Sequence, residues 1–319
     1  MKRITEGSPS MKTWVRVWLA VAVAAGMLAA PGGAEAAFPG GNGWIAYERY
    51  SSDGTAADIY VMDGTGGNKT LLINVGNADL DPAWSPDGTK IAFSTDEDIW
   101  VANADGSNPV NLTNTPITVG SDREPAWSPD GRKIVFSSIR PEGDTSNLDI
   151  YVIDASGGNE QRLTTDPDTD RAPAWSPDGA TIAFCTNRDG AWIYLMNPDG
   201  SGERPLRQFT HIVTDPNWSP NGQTLVIAGD ANNPGIRLLD LQGNLSGALT
   251  EGPIDRTPAW SPRGTAIVFT HYVPGSGNRE IYTVNPDGSG QTNLTNTSLP
   301  EYDPDWMPLQ VPRPRPKAR

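Results

Sequence analysis

A single cysteine, Cys185, stands in a chain of 319 residues. No intrachain disulfide can form, so packing alone must hold the fold. Cys185 follows Ile182-Ala183-Phe184 and reads as a small buried hydrophobe rather than a nucleophile. Histidine is almost as scarce, with only His211 and His271, which excludes a transition-metal site built from several imidazoles. The chain has no G-x-S-x-G nucleophile elbow. Its glycines fall in turn-like pairs rather than in a phosphate-binding signature. Long apolar runs are missing too: the longest, Val17 to Ala30, is too short to span a bilayer. Positive charge is in deficit, with 24 Lys and Arg against 38 Asp and Glu and a net charge of −14. Residues 1–36 carry a balance of +2 and the tail +4, which leaves −20 on the body between them. Such a surface repels nucleic acid and anionic lipid and favours cationic partners or metal ions. It also serves solubility alone.

The apolar run has an address to offer. Lys12 and Arg16 precede it, and Ala34-Glu35-Ala36 follows it. A basic segment, a short apolar segment and an A-x-A site describe a secretory signal peptide over residues 1–36. A secreted or periplasmic protein is expected. At the other end, residues 311–319 carry Pro312, Pro314 and Pro316 between basic residues, which excludes helix and central strand and predicts a disordered or extended tail.

What the chain has in plenty is one phrase. Pro82-Ala83-Trp84-Ser85-Pro86-Asp87-Gly88 returns at Pro125 and Pro173, then in variant form at Pro216 and Pro258, and in truncated form at Pro304. Trp84, Trp127, Trp175, Trp218, Trp260 and Trp306 lie 43, 48, 43, 42 and 46 residues apart. A period of that length marks an array of one supersecondary unit. Within each unit the Trp segment predicts a first strand, and Ser-Pro-Asp-Gly a type I turn. Apolar triplets such as Ile91-Ala92-Phe93 and Ile182-Ala183-Phe184 predict a second strand, and Ile150-Tyr151-Val152 and its equivalents a third. A Gly-rich hairpin then leads to a short polar fourth strand suited to an outer edge. Four antiparallel strands per repeat make a propeller blade.

The ends set the blade number. Residues 45–73 supply strands two, three and four of a unit without its tryptophan, and Trp306 supplies a first strand alone. Together they complete one blade. The expectation is therefore all-β: a six-bladed β-propeller over residues 37–310, closed by the C-terminal strand pairing with the N-terminal blade. Recurrence of the tryptophans at one point in every blade argues for packing between blades rather than carbohydrate stacking.

The P-A-W-S-P-D-G phrase, the I-A-F strand, the I-Y-V-M strand and the D-G-S hairpin together resemble the TolB-type, or WD-like, propeller repeat family. The resemblance runs over roughly residues 38–308. It implies a periplasmic propeller that binds protein partners, with a narrow channel able to accept a peptide segment. The family's type member carries a separate α/β domain ahead of its propeller. Here the repeats start directly after the signal segment, which puts a role in a Tol–Pal system in doubt. Some propeller polysaccharide lyases resemble the same repeats, but they bind metal through several histidines that this chain lacks.

Five residues before the tryptophans stand Asp79, Asp122, Asp170, Asp255 and Glu301, with Val213 as the exception. If the Trp strand is innermost, these carboxylates share one mouth of the channel. Asp81, Glu124, Asp215 and Asp303, three before the tryptophan, deepen the negative field. Repulsion on so small a circle calls for compensation, by a bound calcium ion or by a Lys or Arg of an inserted peptide. Two plainer readings compete. An Asp before a strand commonly caps its own loop, and Arg123, Arg171 and Arg256 are placed to neutralise a neighbouring blade. The expected function is a non-catalytic, monomeric scaffold recognising an envelope protein, peptide or glycan at this mouth, with no nucleic acid and no stable membrane span. The alternative is a polysaccharide-active lyase or hydrolase using channel carboxylates as acid and base.

Overall fold

The computed structural model describes residues 41–115, 120–140, 147–210, 214–252 and 254–309. The expected signal segment, the tail and Val213 lie outside them.

Twenty-three strands among these residues form six antiparallel sheets. Blade 1 runs β23 (Glu301–Leu309), β1 (Gly41–Tyr50), β2 (Ala57–Met62), β3 (Thr70–Ile73). Blade 2 is β4 (Leu80–Trp84), β5 (Lys90–Thr95), β6 (Asp98–Asn103), β7 (Val110–Asn111). Blade 3 is β8 (Ser121–Trp127), β9 (Lys133–Ile139), β10 (Leu148–Asp154), β11 (Gln161–Arg162). Blade 4 is β12 (Asp170–Trp175), β13 (Ile182–Thr186), β14 (Ala191–Met196), β15 (Arg204–Phe209). Blade 5 is β16 (Thr214–Trp218), β17 (Thr224–Ala228), β18 (Ile236–Asp240). Blade 6 is β19 (Arg256–Trp260), β20 (Ile267–Tyr272), β21 (Arg279–Val284), β22 (Thr292–Asn293). The expected strands and their order are found, except for the fourth strand of blade 5. The ring closes as expected, with Ile45 opposite Trp306 and Ala46 opposite Asp305.

Blade 5 is the exception to four strands. Its outer segment makes one bridge, Leu239 to Leu245. The Ser246 hydroxyl accepts the Leu238 amide, and Arg237 Nη1 donates to the Ser246 carbonyl. The Ser246 amide in turn donates to the Leu238 carbonyl at 2.8 Å, so this segment follows the third strand without forming a regular ladder.

The Trp strands are central. Each contacts the next around the ring: β4 with β8, β8 with β12, β12 with β16, β16 with β19, β19 with β23, and β23 with β4. Trp127 Nε1 donates to the Ala83 carbonyl of the preceding blade at 3.1 Å, and Trp218 Nε1 to the Ala174 carbonyl at 3.2 Å. All six phrase tryptophans are buried. Each indole contributes roughly 4–6 kcal/mol of apolar transfer as an upper bound. The tryptophans are therefore mortar between blades.

The Ser-Pro-Asp-Gly turn is held by its own residues. Gly88 N donates to the Ser85 carbonyl at 2.8 Å, and Asp87 Oδ1 accepts both the Ser85 hydroxyl and the Thr89 amide. Gly88 has φ +63°, and a β-carbon there would meet the Pro308 carbonyl oxygen at 2.6 Å. Any larger residue would strain the turn and push on the closing strand together.

Candidate functional site: carboxylates around the propeller axis

All five acids placed five before the tryptophans are buried, at 0–3% exposure. Four of them face a basic side chain from their own blade. Arg49 Nη2 lies 2.8 Å from Glu301, Arg140 Nη1 3.0 Å from Asp122, and His271 Nδ1 2.7 Å from Asp255; Arg188 pairs with Asp170. The fifth, Asp79, caps its own loop by accepting the Val75 amide at 2.8 Å and the Gly76 amide at 3.1 Å. Burial pushes the carboxyls of Asp170, Asp255 and Glu301 upward, against the pull of their partners.

These basic groups are not the arginines that follow the acids in sequence. They come from the second strand or the turn beyond it, and each is seated on the aromatic residue of the third strand. The Arg49 guanidinium lies 4.4 Å from the Tyr60 ring centre, Arg140 5.4 Å from Tyr151, and Arg188 5.3 Å from Tyr194. The His271 and Tyr282 rings are 4.4 Å apart. In blades 1, 3 and 4 the tyrosine of the Ile-Tyr motif thus holds a guanidinium that in turn holds a carboxylate, a contact of about 0.5–2 kcal/mol each time, and in blade 6 Tyr282 holds the His271 ring in the same place. These acids fix the loops at one rim of the ring.

A second acidic level lies two residues further along. Asp81, Glu124, Ala172, Asp215, Thr257 and Asp303 all have φ between 46° and 60°. In blades 2 to 6 a register shift of the Trp strand falls at the same place. Left-handed φ is uncommon outside glycine, and for a β-branched threonine it is strained. A bulge repeated in every blade re-aims a side chain and an amide. Here the freed amide reaches the blade before it. Asp81 N donates to Glu48 Oε1 at 2.8 Å, Glu124 N to Asp81 Oδ2 at 3.2 Å, and Ala172 N to Glu124 Oε2 at 2.7 Å. Asp303 N donates to Thr270 Oγ1 at 3.2 Å, and the Asp215 amide to the Cys185 sulfur. A belt of inter-blade hydrogen bonds results.

At the junction of blades 1 and 2 the belt becomes a cluster. Glu48, Asp81 and Asp303 each present a carboxylate oxygen within 4.8 Å of the other two. Their exposures are 1%, 2% and 4%. Among the described residues no amide or hydroxyl donates to either oxygen of Asp303. Burial, reinforced by the neighbouring carboxylates, pushes Glu48 up to about 8 and Asp81 up to about 7, and holds Asp303 well above the usual range. Like charges so close in a dry place retain protons unless a cation replaces them. Three hard oxygen donors fit Ca²⁺ or a cationic side chain.

Asp81 and Asp303 were visible in the sequence as part of a second acidic level; Glu48 was not. The residue after each apolar second-strand triplet is Ser94, Ser137, Cys185, Ala228 and Thr270 in five blades, and Glu48 in the first. That one departure from a small side chain was the available signal.

The model of the TolB β-propeller domain family matches residues 36–145 and 120–310. The chain belongs to this family. Two curated relatives are each named Tol-Pal system protein TolB, one from Rhizorhabdus wittichii and one from Zymomonas mobilis subsp. mobilis. They are 32% and 33% identical over 74 residues, which is 23% of this chain and 17% and 16% of theirs. The matched stretch thus spans about a sixth of the length of these relatives. Among solved structures, TolB from Acinetobacter baumannii superposes with a TM-score of 0.72 at 23% identity, covering 83% of this chain and 67% of that one. A putative TolB from Agrobacterium tumefaciens gives 0.63 at 19% identity, over 84% and 100%. Hydrazine synthase from Kuenenia stuttgartiensis gives 0.68 at 17% identity, over 84% and 47%. At these identities the likeness concerns the fold alone, which a hydrazine synthase chain shares, and the site must be argued from this chain's own residues.

Proposed function

We propose that this TolB-type propeller is a non-catalytic scaffold of the cell envelope, secreted or periplasmic, that binds a protein or peptide at its channel. The observation carrying this reading is membership of a family whose curated relatives are named as components of the Tol–Pal system. The geometry supports it in a second way. Of the acids that an acid–base mechanism would draw on, three are held in ion pairs with Arg49, Arg140 and Arg188, one is hydrogen-bonded to His271 and one caps its own loop, which favours a scaffold over a polysaccharide-active enzyme.

In this reading Asp79, Asp122, Asp170, Asp255 and Glu301 shape the rim of the mouth through their cations and loops. The group that takes a Ca²⁺ ion, or a lysine or arginine of the partner, is the Glu48–Asp81–Asp303 cluster. Its oxygens are within reach of one another, and among the described residues they lack the basic partner that Asp122, Asp170, Asp255 and Glu301 possess.

The test is a pulldown from envelope extract with the full-length protein, with and without calcium, beside the Asp81→Asn/Asp303→Asn double variant. A discrete protein retained by the native chain and lost with the double variant is the expected result. A glycan retained in its place would redirect the proposal. Capture of neither, together with no calcium uptake by calorimetry, would remove it.

A further inference from the structure

The turn after each third strand carries a glycine that rests on the outer edge of the blade before it. The contact falls each time on the carbonyl of a leucine: Leu294, Leu72, Leu163, Leu206 and Leu249. A β-carbon on Gly66, Gly106, Gly200, Gly243 or Gly288 would meet that oxygen at 2.2 to 3.4 Å. Between blades 2 and 3 the contact is not made. Leu112 holds the same place in blade 2, one residue after Asn111, which pairs with Trp100. A β-carbon on Gly157 would nonetheless stay 4.0 Å from the Leu112 oxygen. The gap opens a groove of about 310 Å³, lined by Val101, Val110, Leu112 and Ala155 together with Asn103 and Asn108. Val110 is 56% exposed, more than any other large apolar side chain among the described residues. Apolar surface left open at one of six equivalent junctions marks a place where something else packs.

The chain itself leads there. β23 ends at Leu309, and the carbonyl oxygen of Pro308 lies against Gly88 in the β4–β5 turn of blade 2. In that turn the Thr89 carbonyl accepts the Ala104 amide at 2.9 Å, and the next residues along, Lys90 and Asn103, line the groove. The Lys90 side chain is exposed and free to turn its charge to water. β7 lies two strand spacings, about 10 Å, beyond β5. Residues 310–319, outside the described residues, can reach about 31 Å as an extended chain. In residues 312–317 proline alternates with Arg313, Arg315 and Lys317. Successive side chains of an extended segment face opposite ways, so prolines and basic groups separate onto two sides. The way from the turn to the groove passes Asp87 and Asp105, exposed carboxylates that accept hydroxyl and amide donors of their own turns.

We propose that residues 311–319 dock along the groove between blades 2 and 3. The prolines lie on Val110 and Leu112, and the basic side chains turn toward Asp87 and Asp105. A segment tethered at the mouth of its own groove needs little intrinsic affinity, because the tether sets a high local concentration. The docked tail covers the junction that the repeat leaves open. This goes beyond the scaffold reading and does not depend on it.

Cross-linking in the full-length protein tests the proposal. Pro314→Cys is combined with Val110→Cys and, for comparison, with Thr70→Cys. Thr70 holds the place of Val110 in blade 1, where Gly106 closes the junction. Cys185 is buried and stays out of the exchange. Under mild oxidation, mass spectrometry of the digested protein should find the intramolecular link between positions 110 and 314 forming about tenfold faster or more than that between 70 and 314. Equal rates, or no link to position 110, would overturn the proposal. So would links that join two molecules in place of the intramolecular one, since the groove would then take a segment of another copy. Should Val110→Cys fail to fold, Ser156→Cys on the opposite wall replaces it, with the same preference over position 70 expected.

Discussion

Two sets of carboxylates encircle the same axis and are treated differently by the fold. Asp122, Asp170, Asp255 and Glu301 are buried, and each meets an arginine or, at Asp255, a histidine that an aromatic ring holds in place. Glu48, Asp81 and Asp303 are as deeply buried and meet one another. In the first set each carboxylate is matched within its own blade, by an arginine in blades 1, 3 and 4 and by His271 in blade 6. In the second set charge is left over where the chain's two ends meet. The lesson is that repetition satisfies its own members, and that function is better sought where the repeat is broken. Blade 1 is that place, because it is assembled from β23 and β1–β3 and its Glu48 departs from the small residues found elsewhere.

The harshest way to break the comparison is to remove the closing strand. Deleting residues 300–319 takes away β23, Glu301, Asp303 and Trp306, and leaves β1 without its partner. Cooperative thermal unfolding should be lost, as followed by far-ultraviolet circular dichroism. Trp306→Ala alone should cost about 3–5 kcal/mol in a denaturant titration. An unchanged midpoint in either case would mean that ring closure does not hold the fold together.

Next in size is the loss of a matched cation. Arg188→Gln leaves Asp170 buried without its partner, and a broken buried pair costs about 3 kcal/mol or more. Replacing Asp303 by Asn exchanges a buried carboxyl that has no ion-pair partner among the described residues for a neutral amide, and the native state should be unharmed or stabilised. If the two variants were equally damaging, the distinction between the two sets would fail.

The pH dependence sharpens the same contrast. Glu48 and Asp81 titrate near 8 and 7 in the native state, above their ordinary values of 4.5 and 3.8. Between the ordinary and the raised values the native state binds more protons than the unfolded chain. Stability contributed by these groups is therefore present at low pH and falls as pH rises from about 4 to about 8. Glu48→Gln should flatten that slope. A melting profile equally steep in the variant would show that the cluster does not hold protons.

The smallest effect is expected at Cys185. It is 2% exposed, accepts the Asp215 amide, and burial pushes its thiol up to about 12. It should not react with a disulfide reagent until the protein is unfolded. Cys185→Ser should cost about 1 kcal/mol, the scale of one modest buried polar change. Rapid labelling of the native protein would contradict the packing described for blade 4.

Much of this molecule could be read without coordinates. The tryptophan period marks the blades, the split repeat at the two ends marks the closure, and the apolar triplets mark the second strands. Each is a local pattern repeated, and six copies of one pattern have few ways to bury their apolar faces. The acids before the tryptophans were legible as a ring, and at Asp79 the loop-capping reading is the one realised. Their partners were not legible: Arg140 lies 18 residues from Asp122, and Arg49 lies 252 residues from Glu301.

The sequence alone determined the blade, its number and the manner of closure, because these follow from periodicity and turn chemistry along the chain. Only the tertiary structure decided which charges meet. A left-handed bulge at Asp81 and its equivalents turns amides toward the neighbouring blade, and closure brings Glu48 against Asp303. Electrostatic interaction depends on distance through space and on burial, and neither quantity is written in the spacing of residues.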